Sequence, residues 1–361
     1  MPNPAEICVV TINGTIFRDW ETVRAEADAS NNGIRYVTLT ITEKSAGPGV
    51  VAQTLQIEPG TNTTASVTLA GQLFCNGNVY ERQASYDANN HGVRIIICGL
   101  PQPLVQSTIP LKSGQFKNYT YQAIAASVLM PFGLNLKVAS APDGFDKPFR
   151  YVATIPGEPA WTFLERLARM RGAALTDDEQ GNVVVHGKAQ TSASGDLVEG
   201  QNIIAANCVI QYPVSTEIQT TAQQKGSDTI TPDQARAPAA KGAITGTGSN
   251  RPSHVHNEDA GDADDARRRA DSEQLVDLAR CVTAQIVVQG WLKPSGELWK
   301  IRDLLNVNSP MLLLDKGLYV NKVTFSQDTG GTLTTLELNR DPVQGGAPAL
   351  NSGAQPAMVS T

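Results

Sequence analysis

The chain has 361 residues, a formal net charge of -6 and a charged share of 18%, below the roughly 25% of ordinary soluble domains. Its length allows about two to four domains, and its acidic balance leaves no basic footprint for gripping duplex nucleic acid through its phosphates. So few charges suit a chain that buries much of its outside against neighbours.

Five cysteines, Cys8, Cys75, Cys98, Cys208 and Cys281, form no Cys-x-x-Cys pair and read as buried reduced thiols. The N-terminus lacks the basic start and apolar run of a signal peptide, and no apolar stretch nears the ~20 residues a bilayer span needs. Folding in a cytoplasm is the expectation.

The first hundred residues predict strands. Ile7 to Ile12 is apolar and β-branched, Asn13-Gly14 is a hairpin signal, and Thr15 to Phe17 turns back toward Trp20. Val23 to Ala29, Tyr36 to Thr42, Leu55 to Ile57, Ala65 to Leu69, Gln72 to Phe74, Val79 to Ser85 and Val93 to Cys98 follow. Turns are expected between them, at Gly47-Pro48-Gly49 and at Asn76-Gly77-Asn78 among others. An all-β unit of about six or seven strands results.

Past Pro103 the period changes. Tyr121, Ile124, Ala125, Val128 and Leu129 share one helical face that Pro131 stops. Leu134 to Val138 alternates as a strand, and a second helix from Pro159 points Trp161, Leu164, Leu167 and Ala168 inward until Gly172. A hairpin through Gln180-Gly181-Asn182 completes a compact α+β insert over 103–190.

Strands resume at Ile203 to Ile210 and Ser215 to Ala222. Lys225 to Glu258, rich in Gly, Pro, Ala, Thr and Ser, reads as a long loop. Asp262 to Ala279 is helical, and Thr283 to Pro342 is a succession of strands. Val343 to Thr361 reads as a low-complexity tail, disordered when alone.

Little in the chain points to chemistry. His254 and His256, with Glu258, Asp259 and Asp262 nearby, are the one metal-like cluster, but they sit in a polar loop without a zinc-motif spacing, so solvation is the better account. Gly246-Thr247-Gly248-Ser249 lacks the strand, helix and lysine of a phosphate loop. Glu158 and Glu165 flank an amphipathic helix and form no evident carboxylate pair for sugar hydrolysis. Trp20, Trp161, Trp291 and Trp299 read as structural or interface anchors, although Trp291 and Trp299 also have the chemistry to stack a sugar or base. No catalytic set, metal site or cofactor is expected.

The order of motifs resembles the baseplate hub proteins of contractile-tailed bacteriophages, the Mu-type tail proteins related to the late-control protein D family. The residues that carry it include Asn13-Gly14 with Phe17 and Trp20, His91-Gly92-Val93, Pro131-Phe132-Gly133-Leu134 and Asp146-Lys147-Pro148-Phe149. It continues through Trp161 to Gly172, Glu199 to Ile203, Gly290-Trp291 and Gly296-Glu297-Leu298-Trp299.

The resemblance implies an α+β, β-rich fold with two tube-like antiparallel β-barrel domains. The first would span 1–102, and the second 191–224 with 281–342. The insert at 103–190, a loop-and-helix excursion at 225–280 and the tail at 343–361 make up the rest. It further implies a non-enzymatic virion component that assembles as a homotrimer. Its implied partners are a trimeric spike, a tail tube or tube-initiator protein and other baseplate proteins, with DNA only passing through. A peptidoglycan-binding or peptidoglycan-hydrolysing tail-tip protein is the alternative.

Overall fold

The computed structural model describes residues 6–42, 57–87, 91–110, 114–187, 189–213, 215–222, 239–243, 251–257 and 263–340. Seven strands come first: β1 (Cys8–Ile12), β2 (Thr15–Phe17), β3 (Thr22–Asp28), β4 (Tyr36–Thr42), β5 (Thr64–Leu69), β6 (Gln72–Tyr86) and β7 (His91–Gly99). The β1–β2 turn puts Asn13 and Gly14 at φ 47° and 83°, left-handed angles that Asn-Gly tolerates best. Alternation then decides the faces: Val23, Ala25 and Ala27 of β3 are buried while Arg24 is exposed.

One expected turn is absent. Asn76-Gly77-Asn78 lies inside β6, which runs unbroken for 15 residues. Gly77 is there for close approach, because a Cβ at that position would overlap the carbonyl oxygen of Cys98 on β7.

The insert holds α1 (Gln102–Gln106), β8 (Gln115–Phe116), α2 (Tyr121–Leu129), β9 (Leu136–Ser140), β10 (Val152–Ala153), α3 (Ala160–Met170), β11 (Ala174–Asp177) and β12 (Val183–His186). Thr120 caps α2 by accepting the Ala123 N–H, and a 3-10 turn over Met130–Phe132 takes up the chain at Pro131. Around Trp161, Phe163, Tyr121 and Leu167 the insert builds its own core, which reaches Ile34 of the first β unit.

The remaining strands are β13 (Asp196–Val198), β14 (Ala205–Ile210), β15 (Glu217–Ala222), β16 (Ala239–Ala243), β17 (Pro252–Asn257), β18 (Val282–Gln289), β19 (Leu304–Ser309), β20 (Leu314–Asp328) and β21 (Gly331–Asn339), with α4 (Ala263–Cys281) before β18. The stretch expected as a loop from Lys225 to Glu258 thus contributes two strands, and β16 and β17 flank β15 in a small sheet. Their sequences, Ala-Ala-Lys-Gly-Ala and Pro-Ser-His-Val-His-Asn, have weak strand propensity, so pairing with β15 decides their state. The expected strand at Leu55 and Gln56, the turn at Gly47-Pro48-Gly49, Gly246 to Ser249, Glu258, Asp259, Asp262 and the tail from Val343 lie outside the described residues.

Both β-rich parts belong to one sheet, in the order β14-β18-β21-β20-β3-β4-β7-β6-β5-β1-β2, with β19 on β20 and β13 on β19. The junction is β20. Its first half pairs with β19, from Ser309–Leu314 to Leu304–Tyr319, and its second half pairs with β3, from Lys322–Asp28 to Gln327–Val23. A single apolar core runs beneath, and across it Phe74 of β6 meets Phe325 of β20 edge-on at 5.6 Å.

Candidate interaction interface

The acidic pair considered for hydrolysis is committed elsewhere. Glu158 is buried, with Oε1 accepting Arg166 Nε at 2.9 Å and Oε2 accepting Arg166 Nη2 at 2.9 Å and the Ile155 N–H at 3.0 Å. Both oxygens are occupied in a bidentate pair. Glu165, also buried, faces Arg169 at 3.7 Å one turn along α3. His254 is exposed on β17, and no group of three metal-ligating side chains occurs among the described residues.

The four tryptophans take different positions. Trp161 is buried in the insert core. Trp291 is fully buried in the main core; its indole N–H donates to the Ser326 carbonyl at 3.2 Å, and its backbone N–H donates to Glu6 Oε1 at 2.8 Å. Trp299 is buried with the Lys293 ammonium 5.9 Å from its ring centroid. Trp20 is half-buried and packs on Phe17 at 6.1 Å. The structure does not bring the four together.

A charged node ties the three parts of the chain. Arg35, just ahead of β4, pairs with Asp177 at the end of β11, and its backbone N–H donates to the same carboxylate at 2.9 Å. Arg35 Nη2 lies 3.4 Å from Glu179 Oε1, and Lys300, from the last third of the chain, lies 3.7 Å from that oxygen. Burial pushes Asp177 up to about 6 against the pull of Arg35. Beside the node is a cavity of about 180 Å3 lined by Arg35, Phe74, Glu179, Gln180, Trp299 and Lys300. Sequence reading missed this node, since nothing local marks a pair 142 residues apart.

The face of the sheet opposite the core carries its charges in cross-strand rows. Register aligns Asp28, Lys322, Glu337 and Gln285 in one cross-strand row, and Glu26, Thr324, Thr335 and Val287 in the next. Lys322 Nζ stands 3.5 Å from Glu26 and 3.6 Å from Asp28, and Arg24 pairs with Glu26 at 2.5 Å. Burial pushes Glu26 up, but Arg24, Lys322 and Thr324 outweigh it and hold the carboxyl below its ordinary range. Burial pushes Glu337 up. The centre of this face is therefore paired acid and base among threonines, not a basic stripe.

Exposed apolar groups lie at β14 and at the far end of β6. Ile204, Val209 and Ile210 on or beside β14 are about half exposed, and Tyr212 just beyond is 80% exposed. At the far end of β6, Tyr86 is 84% exposed.

Comparison with known proteins gives these surfaces a setting. Residues 102–187 match the family described as baseplate hub protein gp44-like, second domain, and residues 262–343 match Mu phage baseplate assembly protein GpP, fourth domain. The baseplate hub protein gp44 of Escherichia phage Mu is 24% identical over 298 residues, covering 79% of this chain and 78% of that protein. The 43 kDa tail protein of prophage MuSo2 from Shewanella oneidensis superposes with a TM-score of 0.77 at 26% identity, over 94% of this chain and 99% of that one. A tail protein from Neisseria meningitidis MC58 shares the fold at a TM-score of 0.75 and 17% identity, over 94% and 97%. With two baseplate-domain matches in one fold of this kind, the chain is similar to the Mu-type phage baseplate hub and tail proteins over most of its length.

Proposed function

We propose that this protein is a structural adapter of the contractile tail: three copies form a pseudo-sixfold ring that joins a hexameric tail tube to a trimeric central spike and surrounds the path of the DNA. The observation that supports this reading is the pairing of β3 with β20, which joins the N-terminal and C-terminal strands in one sheet. Side-by-side units in each of three copies give six positions around an axis, and a closed ring of repeated heterologous contacts leaves no open edge. The polar face of the sheet suits the channel wall. Its paired charges offer a polyanion neither a basic track to stick to nor a strong barrier.

The role is non-enzymatic. A general acid needs a carboxyl with an oxygen directed at substrate, and both oxygens of Glu158 are held by Arg166 and the Ile155 N–H. Electron microscopy of the purified protein tests the reading. A threefold ring with a central hole is expected, whereas a compact monomer that ignores tube and spike proteins overturns it.

A further inference from the structure

The insert carries an open groove of about 670 Å3 between a helix and a strand. Gln122, Ala126 and Met130, spaced four apart along α2 and into the turn that follows it, form one wall. Leu134, Leu136 and Val138, which alternate toward one face of the segment that becomes β9, form the other. No charged side chain lines the groove. Met130 is 75% exposed, and the three apolar side chains opposite it are half-buried.

The strand wall is also a sheet edge. In the order β11-β12-β9, β9 has β12 as its one strand neighbour among the described residues. An edge strand turns a row of N–H and C=O groups outward. Lys137, the one charge on β9, falls on the alternate face and pairs with Asp178 at 3.4 Å, so it does not guard the groove. A helix beside an open strand edge, with an apolar floor, is a shape that takes an extended segment: its backbone pairs with the edge, and alternate side chains fill the groove.

We infer that Ala357 to Thr361 of the same chain occupies this groove, added to β9 as an antiparallel strand. Composition supports this occupant, because no residue after Asp341 carries a charge, as none lines the groove. Ala357-Met358-Val359-Ser360-Thr361 is also the one run of five after Pro342 free of both proline and glycine, it matches the five residues of β9, and two of its members are β-branched. Reach supports it as well. Asn339 of β21 lies opposite Tyr319, the Tyr319 hydroxyl donates to the Gln190 carbonyl at 2.9 Å, and the Gly187 N–H donates to the Ser140 carbonyl at 2.8 Å. That path from Asn339 to the end of β9 spans about 35 Å at most, whereas residues 341–356 reach about 55 Å when extended. A segment that arrives at Ser140 and runs toward Leu136 is antiparallel to β9. The inference does not depend on the ring.

The test is amide hydrogen exchange of the full chain over a concentration series, read across residues 136–139. Wild type is compared with Met358→Asp combined with Val359→Asp, with Ala126→Glu, which sets a charge in the helix wall, and with Ser127→Glu, one position along α2 and outside the groove. Ala126 and Ser127 are both exposed, so circular dichroism spectra stay as in wild type. Slow exchange is expected in wild type and Ser127→Glu at every concentration, and exchange about tenfold faster in the tail variant and in Ala126→Glu. Wild type and the tail variant exchanging alike overturns the docking. Acceleration by the tail variant without acceleration by Ala126→Glu places the segment elsewhere and overturns the groove as its site. Protection that grows with concentration assigns the groove to a second copy and overturns its assignment to the chain's own segment.

Discussion

Arg35 and Asp177 lie 142 residues apart in sequence, yet both the guanidinium and the backbone N–H of Arg35 engage the Asp177 carboxylate. The pair is buried on both sides, and it fastens the insert to the first β unit. Burial of two charges costs desolvation that their attraction repays only with good geometry. Removing one partner leaves the other charge buried, so Asp177→Ala should destabilise the protein by about 3–5 kcal/mol. Urea unfolding checks this; a loss near zero would mean the pair adds nothing.

Two groups near this node titrate with opposite consequences. Burial pushes Asp177 up to about 6 from an ordinary 3.8, so the folded state gains protons as pH falls through 6, and the gain is lost as pH rises again. His186 is held down at about 3 by burial first and then by Arg302, Arg35 and Lys137, while its ring nitrogen meets Thr176 Oγ1 at 2.9 Å. Below its unfolded value of 6.5 the unfolded state takes the proton, and stability falls. Between pH 7 and 5 the first contributes a gain of about 1 kcal/mol and the second a loss of about 2 kcal/mol. Denaturation of His186→Gln should therefore show stability rising over this interval, where wild type shows a shallow fall. Parallel curves would refute the assignment.

Gly77 sits where the backbone of β7 lies close against β6, and any side chain there overlaps the Cys98 carbonyl. Gly77→Ala should cost at least about 3 kcal/mol, at the upper end of overpacking effects, because backbone rather than a flexible side chain must yield. Gly14→Ala provides the contrast, since nothing lies near a Cβ there and only the left-handed angle opposes it, for about 1 kcal/mol. Thermal melts of the two variants order them.

The tryptophans differ in what their loss removes. Trp161→Ala and Trp291→Ala should each cost about 3–5 kcal/mol, the usual range for emptying a buried aromatic site. Trp20→Ala, from a half-buried position, should cost clearly less. Equal losses for Trp20 and Trp291 would place Trp20 in the core.

Much of the fold was legible because it is written locally. Asn13-Gly14 demanded a hairpin, Tyr36 to Thr42 was expected as a strand and is β4, and Trp161, Leu164, Leu167 and Ala168 repeated at helical spacing on α3. Asn76-Gly77-Asn78 misled for an equally physical reason. Turn chemistry and close backbone approach both call for glycine, and only the neighbour β7 distinguishes them. Strands β16 and β17 were missed because their own residues barely favour extension and β15 supplies the pairing.

By itself the sequence determined where the strongly patterned strands and helices lie and which of their side chains leave water, since period and turn residues act over a few positions. Tertiary structure alone decided that β3 lies on β20, that Arg35 meets Asp177, and that β15 draws β16 and β17 into a sheet. Strand pairing is made by backbone groups that every residue carries, so partner choice across hundreds of residues leaves almost no mark on the sequence of either strand.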